Sequence, residues 1–149
     1  MKSLVARTSV IVAMTGIALG VAAGPAAAAD NEFQLDIKNA KDRIVVSAYG
    51  TYDRMMSIPE RPVPPVRVSG TLAVNADKCG VVQIAYNAPT DALAWNTVGK
   101  LCGKGKTNYT ATANLLRGGF QPGLRLCAGT SVKKAEKGAN CEYFTPAAG

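Results

Sequence analysis

Apolar and polar residues alternate with a period of two along most of the chain after residue 30. In the segment Glu32–Lys38 (EFQLDIK), Phe33, Leu35 and Ile37 share one face and Glu32, Gln34, Asp36 and Lys38 the other. Successive side chains of a strand point to opposite sides, so this pattern predicts a half-buried β-strand. A β-branched run follows at 43–49 (RIVVSAY), after a turn at 39–42. In 66–74, Val66, Val68, Leu72 and Val74 share a face with Gly70, while Arg67, Ser69 and Thr71 face away. Residues 79–86 (CGVVQIAY) predict another strand, returning as a hairpin across the turn Asn75-Ala76-Asp77-Lys78.

The same reading continues to the end of the chain. Segment 93–102 predicts a strand with Leu93, Trp95 and Leu101 on one face, and Gly103-Lys104-Gly105 a tight turn. Segment 107–115 places Tyr109, Ala111, Ala113 and Leu115 inward; 118–123 is a loop and 124–130 a strand. Segment 133–138 reads as a polar turn and 140–145 as the last strand. No stretch after residue 30 carries a convincing helical period. Seven to eight short antiparallel strands with frequent turns imply an all-β sandwich or barrel. An immunoglobulin-like β-sandwich is the specific expectation, with Trp95 as a buried aromatic near a disulfide.

Two segments break the pattern. Residues 53–65 hold Pro59, Pro62, Pro64 and Pro65, which excludes a helix or a central strand because proline lacks the amide donor. Residues 58–65 are therefore expected as an exposed, stiff proline-rich loop. The roughly 28 residues between the N-terminal segment and this loop are too few to fold alone, so 30–149 is read as a single domain. The other exception is residues 1–29. Lys2 and Arg7 precede an uncharged apolar run at 9–23, Gly24-Pro25, and four alanines at 26–29. That order predicts an export signal peptide, cleaved after Ala29 or Ala28, rather than a membrane span.

Charge and cysteine content refine this picture. Removing Lys2 and Arg7 from the 17 basic residues leaves 15 against 10 acids, a mild excess of about +5. All four cysteines, Cys79, Cys102, Cys127 and Cys141, follow the signal segment. In an oxidising compartment an even count predicts two disulfides. Of three possible pairings, Cys79–Cys102 with Cys127–Cys141 is favoured, since each would join neighbouring antiparallel elements. There is no CxxC and no histidine, so zinc-type ligand spacing is absent.

The lack of histidine also removes the usual general base and the Ser-His-Asp and Cys-His nucleophile arrangements. The acids are scattered, with no pair suggesting glycoside hydrolysis, and no Gly-rich phosphate loop joins a strand to a helix. The sequence thus implies a non-enzymatic protein with no cofactor and no metal.

Two sets of residues are candidates for interaction. Arg54, Met55, Met56 and Ile58 lead into the proline-rich stretch, where a stiff extended segment loses little entropy on binding. Lys100, Lys104 and Lys106 flank Cys102, and Lys133, Lys134 and Lys137 crowd the last turn. If those two turns share one end of the sandwich, they form a cationic patch for an anionic polymer. Aromatic residues do not interleave with these lysines, which counts against nucleic acid as a partner. The resulting expectation is a secreted extracellular binding module, with an anionic cell-wall polymer or another secreted protein as partner and no membrane span after processing. An extracellular protease inhibitor presenting loop 53–65 is the alternative, and a small-molecule carrier of the chromoprotein type the third.

The alanine-rich leader and the two-disulfide β-module resemble small exported proteins of actinobacterial type. At the level of architecture the domain is similar to the enediyne chromoprotein carriers (neocarzinostatin-like) and, in scale, to subtilisin-inhibitor-like proteins. The resemblance implies a sandwich of about 110 to 120 residues and transfers no site residue.

Overall fold

Each of the eight alternating runs forms a strand in the computed structural model, which describes residues 31–56, 65–87, 93–114 and 123–146. The strands are β1 (Glu32–Lys38), β2 (Ile44–Arg54), β3 (Pro65–Val74), β4 (Cys79–Asn87), β5 (Leu93–Cys102), β6 (Gly105–Asn114), β7 (Leu124–Gly129) and β8 (Cys141–Phe144). A single short helix, α1 (Val132–Glu136), lies between β7 and β8. The strands form two four-stranded antiparallel sheets, ordered β1-β2-β3-β6 and β5-β4-β7-β8. The expected signal segment, Ile58, most of the proline-rich loop and Leu115 lie outside the described residues.

The sheets enclose one shared core. Phe33, Leu35, Ile37, Val46, Ala48, Val68 and Leu72 of the first sheet meet Val82, Ile84, Leu124 and Leu126 of the second. Burying an aliphatic side chain contributes about 1.5–3 kcal/mol, so this interior is the main source of stability. The cross-strand row Phe33, Gly50, Gly70, Tyr109 shows how sequence shapes it. A Cβ on Gly70 would sit 2.9 Å from the Tyr109 hydroxyl, and one on Gly99 of the opposite sheet 3.0 Å from the Tyr109 ring. The two glycines therefore leave the space that lets Tyr109 bridge the sheets. Phe144 closes the β1–β8 side against Phe33 and Tyr52, with ring centroids 5.6 and 5.7 Å apart.

Both expected disulfides are present. Cys79–Cys102 joins β4 to β5, and Cys127–Cys141 joins β7 to β8. Each links residues directly opposite in register, with Cα atoms 4.0 and 4.1 Å apart.

Four expectations are corrected. First, β3 and β4 are not a hairpin. β3 is flanked by β2 and β6, and β4 by β5 and β7, so Asn75-Ala76-Asp77-Lys78 crosses between sheets. Local alternation carries no information about sheet membership. The crossing is aided by Gly80, where a Cβ would come within 2.6 Å of Val46 Cγ1. Second, Gly103-Lys104 likewise carries the chain from β5 in one sheet to β6 in the other. Gly103 adopts φ +76°, a conformation glycine reaches without a steric penalty.

Third, Trp95 does not share a face with Leu101. Val82 pairs with Gly99 and Gln83 with Thr97, which leaves Val98 as an extra residue. This bulge shifts the alternation by one. Leu101 therefore packs on the core, whereas Trp95 turns to the outer face and is only half-buried. Fourth, part of the polar segment 133–138 is helical. Ser131 accepts a hydrogen bond from the Lys134 amide at 3.3 Å and caps α1. Ala135 of α1 is fully buried, and a Cβ on Gly129 would lie 2.6 Å from its nitrogen. The helix thus rests directly on β7, and Gly138 at φ +79° ends it.

Candidate functional site

All strand pairs are antiparallel, and the β3–β4 and β5–β6 crossings are short, so these strands alternate in direction along the chain. The β1–β2 turn, the β3–β4 and β5–β6 crossings and the β7–α1 junction therefore gather at one end. Register confirms the gathering: Cys79 pairs with Gly129, Val74 with Gly105, and the Gly103 amide donates to the Lys78 carbonyl at 2.9 Å.

Every lysine of residues 31–149 belongs to this end or to the faces beside it. Lys38 and Lys41 flank the first turn, Lys78 the first crossing, and Lys100, Lys104 and Lys106 the second. Lys133 and Lys134 are on α1 and Lys137 is its C-cap, all three exposed. The six lysines expected from sequence, separated by up to 37 positions, thus fall at one pole or on the outer faces beside it. Lys38, Lys41, Lys78 and Arg43 were missed. Strand-direction parity is the signal that finds them, since every second connection of such a fold shares an end. Ten basic residues gather there, and among the described residues the acids on the same elements near this end are Asp36, Asp42, Asp77, Glu136 and Glu142. Among the described residues, the ion pair at this pole is Lys38–Asp42, at 3.0 Å and largely exposed. Such a pair contributes little, and the remaining lysines stay available to a polyanion. Lys133 and Lys134 in the last turn of α1 also suit its negative end.

A cleft of about 390 Å³ opens at this pole between the β1–β2 turn and the two crossings. Asn39, Arg43, Ile44, Asn75, Ala76, Asp77 and Lys104 are among its walls. Asn39 Oδ1 accepts hydrogen bonds from the amides of Lys41 and Arg43 at 2.9 and 3.1 Å, which fixes the amide plane and leaves Nδ2 to donate. Asp42 at φ 56° completes the turn. Ile44 is 40% exposed beside it.

The other candidate set is at the opposite pole. Arg54 ends β2 and is exposed, and Met55 is half-buried, its amide donating to the Pro65 carbonyl at 2.9 Å. Met56 is 91% exposed. The sequence candidates are therefore brought together as two separate groups, one at each end.

A third cluster, on the outer face of β5-β4-β7-β8, was not anticipated. Arg125 is buried and lies over the Trp95 ring, 4.3 Å from its centroid. Its Nε donates to Gln83 Oε1 at 2.8 Å and its Nη2 to the Glu136 carbonyl at 3.2 Å. Gln83 Nε2 donates to Thr97 Oγ1 at 3.1 Å, and Thr97 Oγ1 to Glu136 Oε1 at 3.0 Å. This closed circuit pins α1 to the sheet, with Tyr143 packed on Trp95 at 6.0 Å between centroids. The bulge at Val98 brings these groups to one face, which is why strict alternation could not reveal them.

Two buried hydroxyls have perturbed acidity. Burial pushes the Tyr109 hydroxyl far above its ordinary value, and it has no hydrogen-bond partner. Tyr52 is raised by burial and partly pulled back by Arg54. Among the described residues no group of three potential metal ligands converges, and no helix is long and apolar enough to cross a membrane.

No protein-family model, curated protein or solved structure matches this chain. What can be said of its function rests on its own geometry.

Proposed function

We propose that this chain is an exported, non-enzymatic binding module that engages an anionic polymer through its lysine-bearing pole. The observation that carries the reading is the segregation of all nine lysines of residues 31–149 to one end and its adjoining faces. Clustered ammonium groups attract a polyanion and release its counterions, and their long stems let them follow an irregular chain. Trp95 and Tyr143 are on the outer face of the second sheet and Phe144 packs against the core, which favours a partner bound by its charges over one bound by stacked bases.

Export is supported by the signal-like order of residues 1–29 and by two disulfides, which persist outside the reducing cytosol. Support for an immunoglobulin-like relationship comes from connectivity. Taken without β1, the order β2-β3-β6 facing β5-β4-β7-β8 keeps the first, second and fifth strands of such a sandwich in one sheet and the third, sixth and seventh in the other, and differs in placing the fourth strand with the latter. The actinobacterial resemblance stays at this architectural level.

The test is co-sedimentation of the purified protein with cell-wall fragments at low and high salt. Capture at low salt and release at high salt is the expected result. The triple variant Lys133→Glu, Lys134→Glu, Lys137→Glu should bind about 100-fold more weakly, taking about 1 kcal/mol per lysine near an anionic surface. Unchanged capture by this variant would remove the reading.

The inhibitor alternative draws on one observation, the 91% exposure of Met56 beside the Met55–Pro65 closure. Under that reading a protease cuts once, slowly and reversibly near Met55-Met56. Rapid degradation from that point discards it.

A further inference from the structure

The cleft at the lysine pole carries more chemistry than a diffuse positive surface. Arg43 and Lys104 stand on separate connections at its rim, so an anionic group between them is met by two cations. The Asn39 amide is held by two backbone donors on its oxygen, so its Nδ2 is presented as a fixed donor. Asp77, in the same wall, repels a bare polyanion but accepts hydrogen bonds from hydroxyl groups. Ile44, 40% exposed, and Ala76 supply an apolar patch for a carbon chain.

We infer that this cleft seats one repeat of a phosphodiester-linked polyol, with the phosphate between Arg43 and Lys104 and the polyol hydroxyls against Asp77. The inference rests on the lysine-pole reading, because the surrounding lysines hold the neighbouring phosphates. A carboxylate in the wall of an anion cleft is the informative feature. It weakens binding of a ligand made of charge alone and strengthens binding of one that also carries hydroxyls. The cleft's volume, about 390 Å³, is within the range of small-ligand sites.

The test titrates the purified protein with three probes: a soluble glycerol-phosphate oligomer, inorganic polyphosphate, and vesicles containing phosphatidylglycerol. The oligomer should bind most tightly. Arg43→Ala with Lys104→Ala should weaken it roughly tenfold or more, as expected for charge-assisted hydrogen bonds. Asp77→Asn should weaken the oligomer several-fold while strengthening polyphosphate, two shifts of opposite sign that general loss of structure would not produce. If Asp77→Asn strengthens both probes, or leaves both unchanged, the polyol is not read by the cleft and the inference falls. Stronger binding to the vesicles than to the oligomer would also overturn it, in favour of a lipid surface. The outcome is separable from that of the broader reading. If the Lys133, Lys134 and Lys137 charge reversals leave polyphosphate binding intact, the lysine pole itself is not the binding end.

Discussion

The two sheets have equally apolar inner faces and quite different outer ones. The outer face of β1-β2-β3-β6 bears Ser47, Thr51, Ser69, Thr71, Asn108, Thr110 and Thr112. Its hydrogen bonds, such as Thr51–Ser69 at 3.2 Å and Thr71 to Asn108 at 2.9 Å, run between exposed or part-buried neighbours. The outer face of β5-β4-β7-β8 carries both disulfides, helix α1 with its buried Ala135, and the Arg125 circuit. The first sheet is covered on one side, and the second is covered on its other side as well over β4 and β7, where α1 rests. A strand buried on both faces needs fewer alternating residues, and β7 accordingly reads as LRLCAG, with its first five residues buried. The stabilising polar and covalent links of this domain are thus concentrated on one sheet, and the hydroxyl-lined face of the other is free to vary.

That contrast can be broken by removing one link at a time. Replacing Cys127 and Cys141 together with serine should cost the most, about 3 kcal/mol by the loop-entropy model for a separation of 14 residues. Thermal unfolding would register it as a large fall in midpoint, and the Val81–Cys127–Ala135 cluster should loosen with it. Next comes Arg125→Ala, which leaves Gln83 and the Glu136 carbonyl without their donor and should cost about 2–3 kcal/mol. Arg67→Ala, at an exposed position of the other sheet, should stay within about 0.5 kcal/mol. Equal losses for Arg125 and Arg67 in denaturant titrations would erase the distinction between the two faces.

Alkaline stability sharpens the interior part of the comparison. Below about pH 10 the tyrosines are neutral in both folded and unfolded chains. As pH rises past that value, the unfolded chain releases protons that buried Tyr109 retains, so stability falls. Tyr109→Phe should flatten this decline by up to about 1.4 kcal/mol per pH unit. At neutral pH it should cost nothing or stabilise slightly, because the hydroxyl it removes has no partner. A steep loss at pH 7 would mean that the hydroxyl is bonded in solution. The smallest effect belongs to Thr71→Ala on the hydroxyl face, expected within about 0.5 kcal/mol by the same denaturant titrations. A cost near that of Arg125→Ala would show that this face is as constrained as the other.

All eight strands were legible in the residue pattern, because side-chain alternation is a local property of a pleated chain, and the disulfide pairing favoured among three is the one formed. The short helix was read as a turn, because five residues carry too little period to stand out from one. Partition of the strands between sheets was not legible, since an alternating strand fits either sheet equally well until its neighbours are known. The lysines were visible as separate charged turns. Their convergence at one pole, the cleft between Arg43 and Lys104, and the turn of Trp95 onto Arg125 were decided only by tertiary structure. The first two follow from two crossings between sheets and the third from one bulge. Each is a long-range pairing choice, made by the packing of the whole interior and not by the residues at the site.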